Sequence, residues 1–181
     1  MAKTKGRKSI NPVKMCASDI LNGTMLVIDP SSGKTGEAGW ATFDRGRLME
    51  WGSIEIPYNA VAFKRFKSLG EILKTEFPEH YDALVIEHLK GRYAKLVLKQ
   101  SAAVFAACLN WDNVGMLVPA TWQAIAKRLG GHIKDDAIDS VYLGYAAIAF
   151  AEGYQVKWKI EAQEAFLEEL VEKYNWQRSE W

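Results

Sequence analysis

Two short apolar segments of the sequence each end in a carboxylate. Asp29 follows Met25–Ile28, and Glu87 follows Ala83–Ile86. Short apolar segments bounded in this way are typical of fully buried strands, and Pro30 cannot continue the first one because it has no N–H to donate. Each acid is therefore predicted to lie at the end of a buried strand. The alternative for Asp29 is an ordinary turn-forming residue.

A third acidic group lies where a late helix is predicted to begin. Asp136 and Asp139 are three residues apart and share one helix face. Asp135 lies about 100° round the helix from Asp136, so we expect it to cap the helix by accepting backbone N–H bonds, or to lie just outside the ligands of a metal. Acids in a first turn also suit the helix dipole, which is the simpler explanation for Asp135 and Asp136.

Carboxylates brought together repel one another, and burial increases the repulsion. A hard divalent cation removes that cost, and Mg²⁺ in particular keeps several waters and binds phosphate oxygens of a substrate. Two such ions about 4 Å apart stabilise the entering and leaving oxygens of a phosphodiester displacement. The sequence shows no Ser-His-Asp or Cys-His spacing that would support a rival mechanism. A Mg²⁺-dependent phosphodiester hydrolase is the chemistry that this pattern favours.

Basic residues are concentrated in two parts of the chain, although its formal net charge is only +1. The segment up to Lys14 contains four lysines, one arginine and no acid, and residues 85–134 contain more bases than acids. This distribution fits a polyanionic partner, with an ordinary solvated surface as the alternative. Cys16 and Cys108 are the only cysteines, so a disulfide framework or zinc site is not expected, and a reducing cytoplasm is the expected compartment. No apolar run reaches membrane-spanning length.

The elements that must position these acids follow from the hydrophobic periodicity. We predict three antiparallel strands, then a helix over 59–77, a strand ending at Glu87, an Ala-rich helix over 94–110, a strand over 114–118, and helices over 119–129, 134–150 and 161–175. This order predicts an α/β fold with a five-stranded mixed sheet, three antiparallel strands followed by parallel ones, flanked by helices. Residues 1–23 are predicted as a flexible basic arm, 24–151 as one domain, and 152–181 as a C-terminal loop and amphipathic helix packed on or near it.

The motifs resemble those of the RuvC-type Holliday junction resolvases, which belong to the RNase H-like nucleases. The similarity covers roughly residues 24–151 and suggests a phage or bacterial member. The matching segments are Leu26-Val27-Ile28-Asp29-Pro30-Ser31, Leu84-Val85-Ile86-Glu87, Val118-Pro119-Ala120-Thr121-Trp122-Gln123 and Asp136-Ala137-Ile138-Asp139-Ser140.

This resemblance implies an RNase H-like fold in which Asp29, Glu87, Asp136 and Asp139 are the catalytic, metal-binding acids. It also implies Mg²⁺, with Mn²⁺ able to substitute, two ions in each active site, and no organic cofactor. The expected protein is a cytoplasmic homodimer that makes paired symmetric nicks across a four-way DNA junction. Lys134, which adjoins the acids, is expected near the scissile phosphate, with a solvated residue at the helix start as its alternative.

Several residues are candidates for contacting nucleic acid, and the Tyr93 ring is the best candidate for stacking on an unpaired base. The candidates are Lys90, Arg92, Tyr93, Lys95, Lys127 and Arg128. The segment from His88 to Tyr93 is shorter than in cellular RuvC proteins, which leaves the preference for junctions open. The alternatives are a related RNase H-like nuclease acting on other branched DNA or on RNA–DNA hybrids, and a DNA-binding protein of this fold that does not cleave.

Overall fold

The computed structural model describes residues 16–30, 37–55, 62–88, 103–131 and 135–177. Within these ranges the side chains of residues 62, 63, 65, 66 and 136 are not described. One five-stranded sheet, in the order β3-β2-β1-β4-β5, forms the centre of the molecule. Its strands are β1 (Thr24–Asp29), β2 (Glu37–Asp44), β3 (Arg47–Glu55), β4 (His80–Glu87) and β5 (Asn110–Leu117).

The sheet is mixed in the way that the sequence predicts. Strand β2 runs antiparallel to both β1 and β3, whereas β4 runs parallel to both β1 and β5. The helices are α1 (Ala17–Asn22), α2 (Ala62–Glu76), α3 (Pro119–Arg128), α4 (Asp136–Ala151) and α5 (Ile160–Tyr174). The predicted fold class, an α/β fold with a five-stranded mixed sheet flanked by helices, is therefore confirmed.

The side chains of β1 alternate between two hydrophobic cores, because successive residues of a strand point to opposite faces. Met25 and Val27 belong to a core that includes α4, whereas Leu26 and Ile28 belong to a core that includes Leu69 of α2. All four residues of β1 between Thr24 and Asp29 are fully buried. This two-sided burial explains why the sequence of β1 is apolar throughout rather than alternating.

Helix α4 is the most deeply buried helix described, since every residue from 139 to 150 is buried. One of its contacts with the sheet is very close, because a Cβ added at Gly144 would collide with the ring of Phe43. Phe43 pairs with Met25 in the ladder, so α4 covers the β1–β2 part of the sheet. A helix buried in this way is expected to be apolar on every side. An acid within it, such as Asp139, is an exception that needs a physical explanation.

The prediction of a flexible arm over residues 1–23 is wrong for its last part. Residues 17–22 form α1, in which Ile20 is completely buried, and the preceding Cys16 is 1% exposed. The side chain of Asn113 in β5 donates to Asp19 Oδ2 at 2.7 Å. Six residues are too few to show a helical period, and this is why the pattern was missed. Residues 1–15, which carry the basic charge of the arm, lie outside the described residues.

Ile20→Ala should lower the free energy of unfolding by about 2–5 kcal/mol, because it removes a fully buried aliphatic side chain and leaves a cavity. Urea unfolding followed by circular dichroism measures the change. Ser18→Ala is the matched control, since Ser18 is on the exposed side of the same short helix and its loss should change stability by less than about 0.5 kcal/mol. Equal stability of the two variants would show that α1 is not part of the folded core.

The C-terminal helix packs against the α4 side of the sheet. Leu167 and Leu170 of α5 belong to the same core as Val27, and the rings of Trp176 and Tyr145 stack with centroids 4.4 Å apart. The indole N–H of Trp176 also donates to the carbonyl of Gly46 in the β2–β3 turn, at 3.1 Å. The C-terminal segment that contains α5 and Trp176 is thus anchored at the end of the sheet where β1 begins.

Strand β5 and the Ala-rich helix also differ from the prediction at their boundaries. Strand β5 begins at Asn110, earlier than expected, because its polar start Asn110–Asn113 belongs to an exposed edge strand and reads as a loop. Of the predicted helix over 94–110, residues 94–102 lie outside the described residues, and 103–108 are helical. No helix in the described ranges is long and apolar enough to cross a membrane.

Candidate active site

Asp29 and Glu87 lie side by side at the carboxyl ends of two adjacent parallel strands. The parallel ladder pairs Val27 with Val85 and Ile28 with Ile86, and each acid is the next residue. Neighbouring strands are about 4.8 Å apart. Because side chains alternate along a strand, Asp29 shares the face of Val27 and Glu87 shares the face of Val85. Both of those valines belong to the core of α4, so both acids are on the α4 side.

The two acids differ in exposure. Asp29 is only 5% exposed, and Pro30 after it is also buried, whereas Glu87 is half-buried. A carboxylate as buried as Asp29 is costly to keep charged unless other groups compensate for the lost water. A turn-forming Asp at the surface, which was the alternative for this residue, would not be buried to this extent.

Helix α4 contributes the third acid. Asp139 lies one turn into α4 and is 7% exposed, in a helix whose other buried residues are almost all apolar. Asp136 is the first residue of the helix, three positions earlier, and the description covers only its backbone. The structure therefore buries Asp139 in the helix that covers the face of Asp29 and Glu87, and the position of the Asp136 carboxylate remains a prediction.

Asp135 is the N-cap of α4. Its Oδ1 accepts the backbone N–H of Ala137 at 2.9 Å and that of Ile138 at 3.4 Å. Its own backbone is extended, with φ −128° and ψ 123°, as N-cap residues usually are. Of the two roles expected for Asp135, the structure shows the cap, which directs this carboxylate to the end of the helix. Lys134 lies outside the described residues.

The half-buried Glu87 receives a hydrogen bond from a buried indole. Trp122 is 1% exposed, and its Nε1–H donates to Glu87 Oε1 at 2.9 Å. Trp122 belongs to the matching segment Val118–Gln123, but its contact with Glu87 was not predicted from the sequence. The feature of the sequence that could have indicated this contact is the short distance between a strand end and the helix that carries Trp122. Strand β5, which neighbours Glu87, ends at Leu117, and α3 begins two residues later.

Most of the candidate nucleic-acid contacts cannot be located. Lys90, Arg92, Tyr93 and Lys95 lie outside the described residues. Lys127 and Arg128 are exposed in the last turn of α3, where cations also suit the negative end of the helix dipole.

Arg128 has a structural partner that the sequence did not suggest. Its Nε–H donates to Oε1 of the buried Gln163 at 3.1 Å, and the Tyr154 hydroxyl donates to the same oxygen at 2.7 Å. The Gln163 amide in turn donates to the carbonyls of Val156 and Trp158. Burial raises the pKa of the Tyr154 hydroxyl, which keeps it protonated as a donor. This network fixes α3 to α5. Any contact of Arg128 with DNA would be made in addition to this structural role.

The donor set is chemically suited to a hard divalent cation. Asp29, Glu87 and Asp139 offer only carboxylate oxygens, which Mg²⁺ and Mn²⁺ prefer. Two of the three are nearly excluded from water, and a cation would offset that loss. Among the side chains that the structure describes, no group of three or more His, Cys, Asp or Glu residues is close enough to hold a metal ion. Asp136 is not among those side chains, so the metal site remains a prediction.

Comparison with solved structures finds resolvases among the similar folds. A Thermus thermophilus RuvC in complex with a Holliday junction substrate has a TM-score of 0.49 and 15% identity, over 70% of this chain and 94% of that chain. Another Thermus thermophilus RuvC structure has a TM-score of 0.43 and 13% identity, over 83% of this chain and 93% of that chain.

A third similar structure is the type II variant of the Aquifex aeolicus Ppx/GppA phosphatase. Its TM-score is 0.31 at 13% identity, over 78% of this chain and 54% of that chain. No protein-family model matches the sequence, and no curated protein matches it. At this level of similarity, the residues of the chain itself must carry any assignment of function.

Proposed function

We propose that this protein is a metal-dependent endonuclease that resolves four-way DNA junctions by paired symmetric nicks. The observation that carries the proposal is the pair Asp29 and Glu87, adjacent at the carboxyl ends of β1 and β4 on the face that α4 covers. Asp139, buried within α4, supplies a further carboxylate. Asp29 and Asp139 are 110 residues apart in sequence. Asp29, Glu87 and Asp139 nevertheless belong to the same side of one sheet.

In this proposal, Asp29, Glu87, Asp136 and Asp139 hold the cations and thereby position the scissile phosphate. Two bound Mg²⁺ ions would activate a water nucleophile and neutralise the charge that develops on the phosphodiester. Burial of Asp29 and Asp139 keeps their oxygens away from competing water, which strengthens their attraction for a cation. Asp135 has a different task, because its carboxylate caps α4.

DNA is the polyanion favoured by the basic segments of the chain. Lys and Arg residues that contact phosphates supply most of the affinity of such complexes, and they do so without reading sequence. The candidates are Lys90, Arg92, Lys95, Lys127 and Arg128, with Tyr93 for stacking and Lys134 beside the scissile phosphate.

Paired nicks need two active sites related by a two-fold axis, and a homodimer is the commonest way to provide one. The Ala-rich helix is the candidate interface, because its residues Ala103 and Ala107 are exposed while Phe105 is buried in the core. Small side chains on an exposed helix face would allow the second protomer to approach closely.

The wild-type protein with Mg²⁺ should cleave a synthetic four-way junction and leave linear duplex of the same sequence intact. Denaturing gels of end-labelled strands measure the products, and forked DNA and an RNA–DNA hybrid are tested in parallel. Excess EDTA should stop cleavage, and Mn²⁺ should restore it. Cleavage that continues in EDTA would contradict a metal-dependent mechanism.

A supercoiled plasmid with an extruded cruciform tests whether the nicks are paired. A dimer that cuts both strands within one encounter converts the plasmid directly to the linear form, whereas independent sites first accumulate nicked circles. Preferential cleavage of the hybrid or of forks would assign the protein to one of the other nuclease classes. Junction binding without any cleavage would favour a non-cleaving DNA-binding protein.

A further inference from the structure

We propose that Trp122 is a positioning residue for the metal-binding carboxylate of Glu87. The inference rests on the proposed function, in which Glu87 is a metal ligand. It is carried by the hydrogen bond from Trp122 Nε1–H to Glu87 Oε1, 2.9 Å long, between residues 35 positions apart in sequence.

The fold brings the indole to this carboxylate through the register of the parallel strands. Glu87 of β4 pairs with Leu117, the last residue of β5. Helix α3 begins with Pro119 only two residues later, so its first turn stands beside the end of β4. Trp122 is the fourth residue of α3, and helical side chains lean toward the N-terminus of their helix. Its ring therefore points back toward the strand end that carries Glu87.

The indole N–H suits this task better than a solvent-exposed donor would. Trp122 is 1% exposed, and the core around it includes Ile125 and Ala126 of the same helix. Packing of the ring restricts its orientation, so the donor is fixed in space. A hydrogen bond to an ionised carboxylate is stronger than one between neutral groups, and it limits rotation of the half-buried Glu87 side chain.

Carboxylates that bind metals are commonly held by such outer hydrogen bonds, and removal of the donor typically weakens metal affinity or activity by 10–100-fold. A different result is expected if Trp122 only stabilises the fold. In that case, loss of its N–H would change stability without changing the concentration of cation that the protein requires.

The test is Trp122→Phe, which keeps an aromatic ring in the core but removes the donor. We expect Mn²⁺ binding to the DNA-free protein, measured by calorimetry, to weaken by about 10–100-fold. The Mg²⁺ concentration for half-maximal junction cleavage should rise by a similar factor, while cleavage at saturating Mg²⁺ recovers most of the wild-type rate. Trp176→Phe is the control, because it also removes a buried indole donor, one that bonds the carbonyl of Gly46 at the opposite end of the sheet, and it should leave the metal requirement unchanged.

Glu87→Gln completes a double-mutant cycle. Once the carboxylate is gone, Trp122→Phe should have no additional effect on Mn²⁺ binding, since the pair acts as a unit. Equal additional losses in both backgrounds would overturn the proposal, as would a Trp122→Phe protein that binds Mn²⁺ like the wild type.

Indole NMR keeps the proposal testable if Trp122→Phe does not fold. The protein has seven tryptophans, and ¹⁵N-labelling of their indoles gives one resonance for each. Glu87→Gln should shift one of them, and Mg²⁺ should shift that same resonance in the wild-type protein. No shift in either experiment would overturn the role of Trp122. A wild type that binds neither Mn²⁺ nor Mg²⁺ would overturn the proposed function, and this inference with it.

Discussion

Asp29→Asn is expected to reduce junction cleavage by about 10³-fold or more while junction binding stays close to that of the wild type. The amide keeps the shape of the side chain but removes the charge that a cation needs. In the proposed function, binding depends on basic residues rather than on the acids, so it should survive the substitution. Single-turnover cleavage and gel-shift titration, the latter in Ca²⁺ or EDTA, measure the two quantities separately.

The same substitution makes a prediction about stability that separates a catalytic Asp29 from a structural one. In EDTA, we expect the carboxylates of Asp29 and Glu87, at adjacent strand ends, to repel one another, because like charges repel more strongly away from water. Asp29→Asn should therefore be at least as stable as the wild type when no metal is present. Thermal unfolding measures this, and added Mg²⁺ should stabilise the wild type more than the variant, because ligands stabilise the state that binds them.

Asp44→Asn is the matched control for Asp29→Asn. Asp44 also ends a strand of the same sheet, but it pairs with Thr24 at the opposite end of β1, and its side chain is 44% exposed beside Arg45. Cleavage by this variant should equal that of the wild type. Full activity of Asp29→Asn would reduce Asp29 to a turn residue and remove the basis of the proposed function.

The central strands β1 and β4 could be predicted because burial on two faces leaves a clear sequence pattern. Strand β1 is apolar between Thr24 and Asp29, and Pro30 sets its end. Strand β4 has the same apolar pattern, so the position of Asp29 and Glu87 at strand ends was accessible from the sequence, whereas the parallel pairing that makes these two strands neighbours comes from the structure. Edge strand β5 was placed too late because its first residues face solvent, where polar side chains are tolerated and no pattern is enforced.

The contacts that depend on several elements at once could not be predicted in the same way. Helix α1 is too short to show a period, and its Ile20 is buried in the core that contains α4, which is far away in sequence. The hydrogen bond of Trp122 to Glu87 depends on the register of β4 with β5 and on the starting residue of α3. The Gln163 network likewise joins α3, the 154–158 loop and α5. Single-sequence patterns describe elements, whereas these contacts arise from how elements meet.

The second large loss of cleavage is expected from substitutions of the acids at the start of α4. Asp136→Asn and Asp139→Asn should each lose cleavage by about 10³-fold or more, whereas Asp135→Asn should keep most of it. Asp136 and Asp139 share a face at a spacing of three residues, and Asp139 is buried in the helix that covers Asp29. Asp135 instead accepts the N–H groups of Ala137 and Ile138. Cleavage rates of the three variants at saturating Mg²⁺ measure the difference.

Asp135→Asn is an informative control because Asn caps helices about as well as Asp does. It should therefore preserve the fold as well as the activity. Asp135→Ala, which cannot cap, should lower stability by about 1 kcal/mol and still cleave at a temperature where it is folded. The opposite pattern, an inactive Asp135→Asn and an active Asp136→Asn, would mean that the carboxylate of Asp135 leaves its cap to bind the cation. Asp135 and Asp139, one helical turn apart, would then be the pair of ligands that α4 contributes.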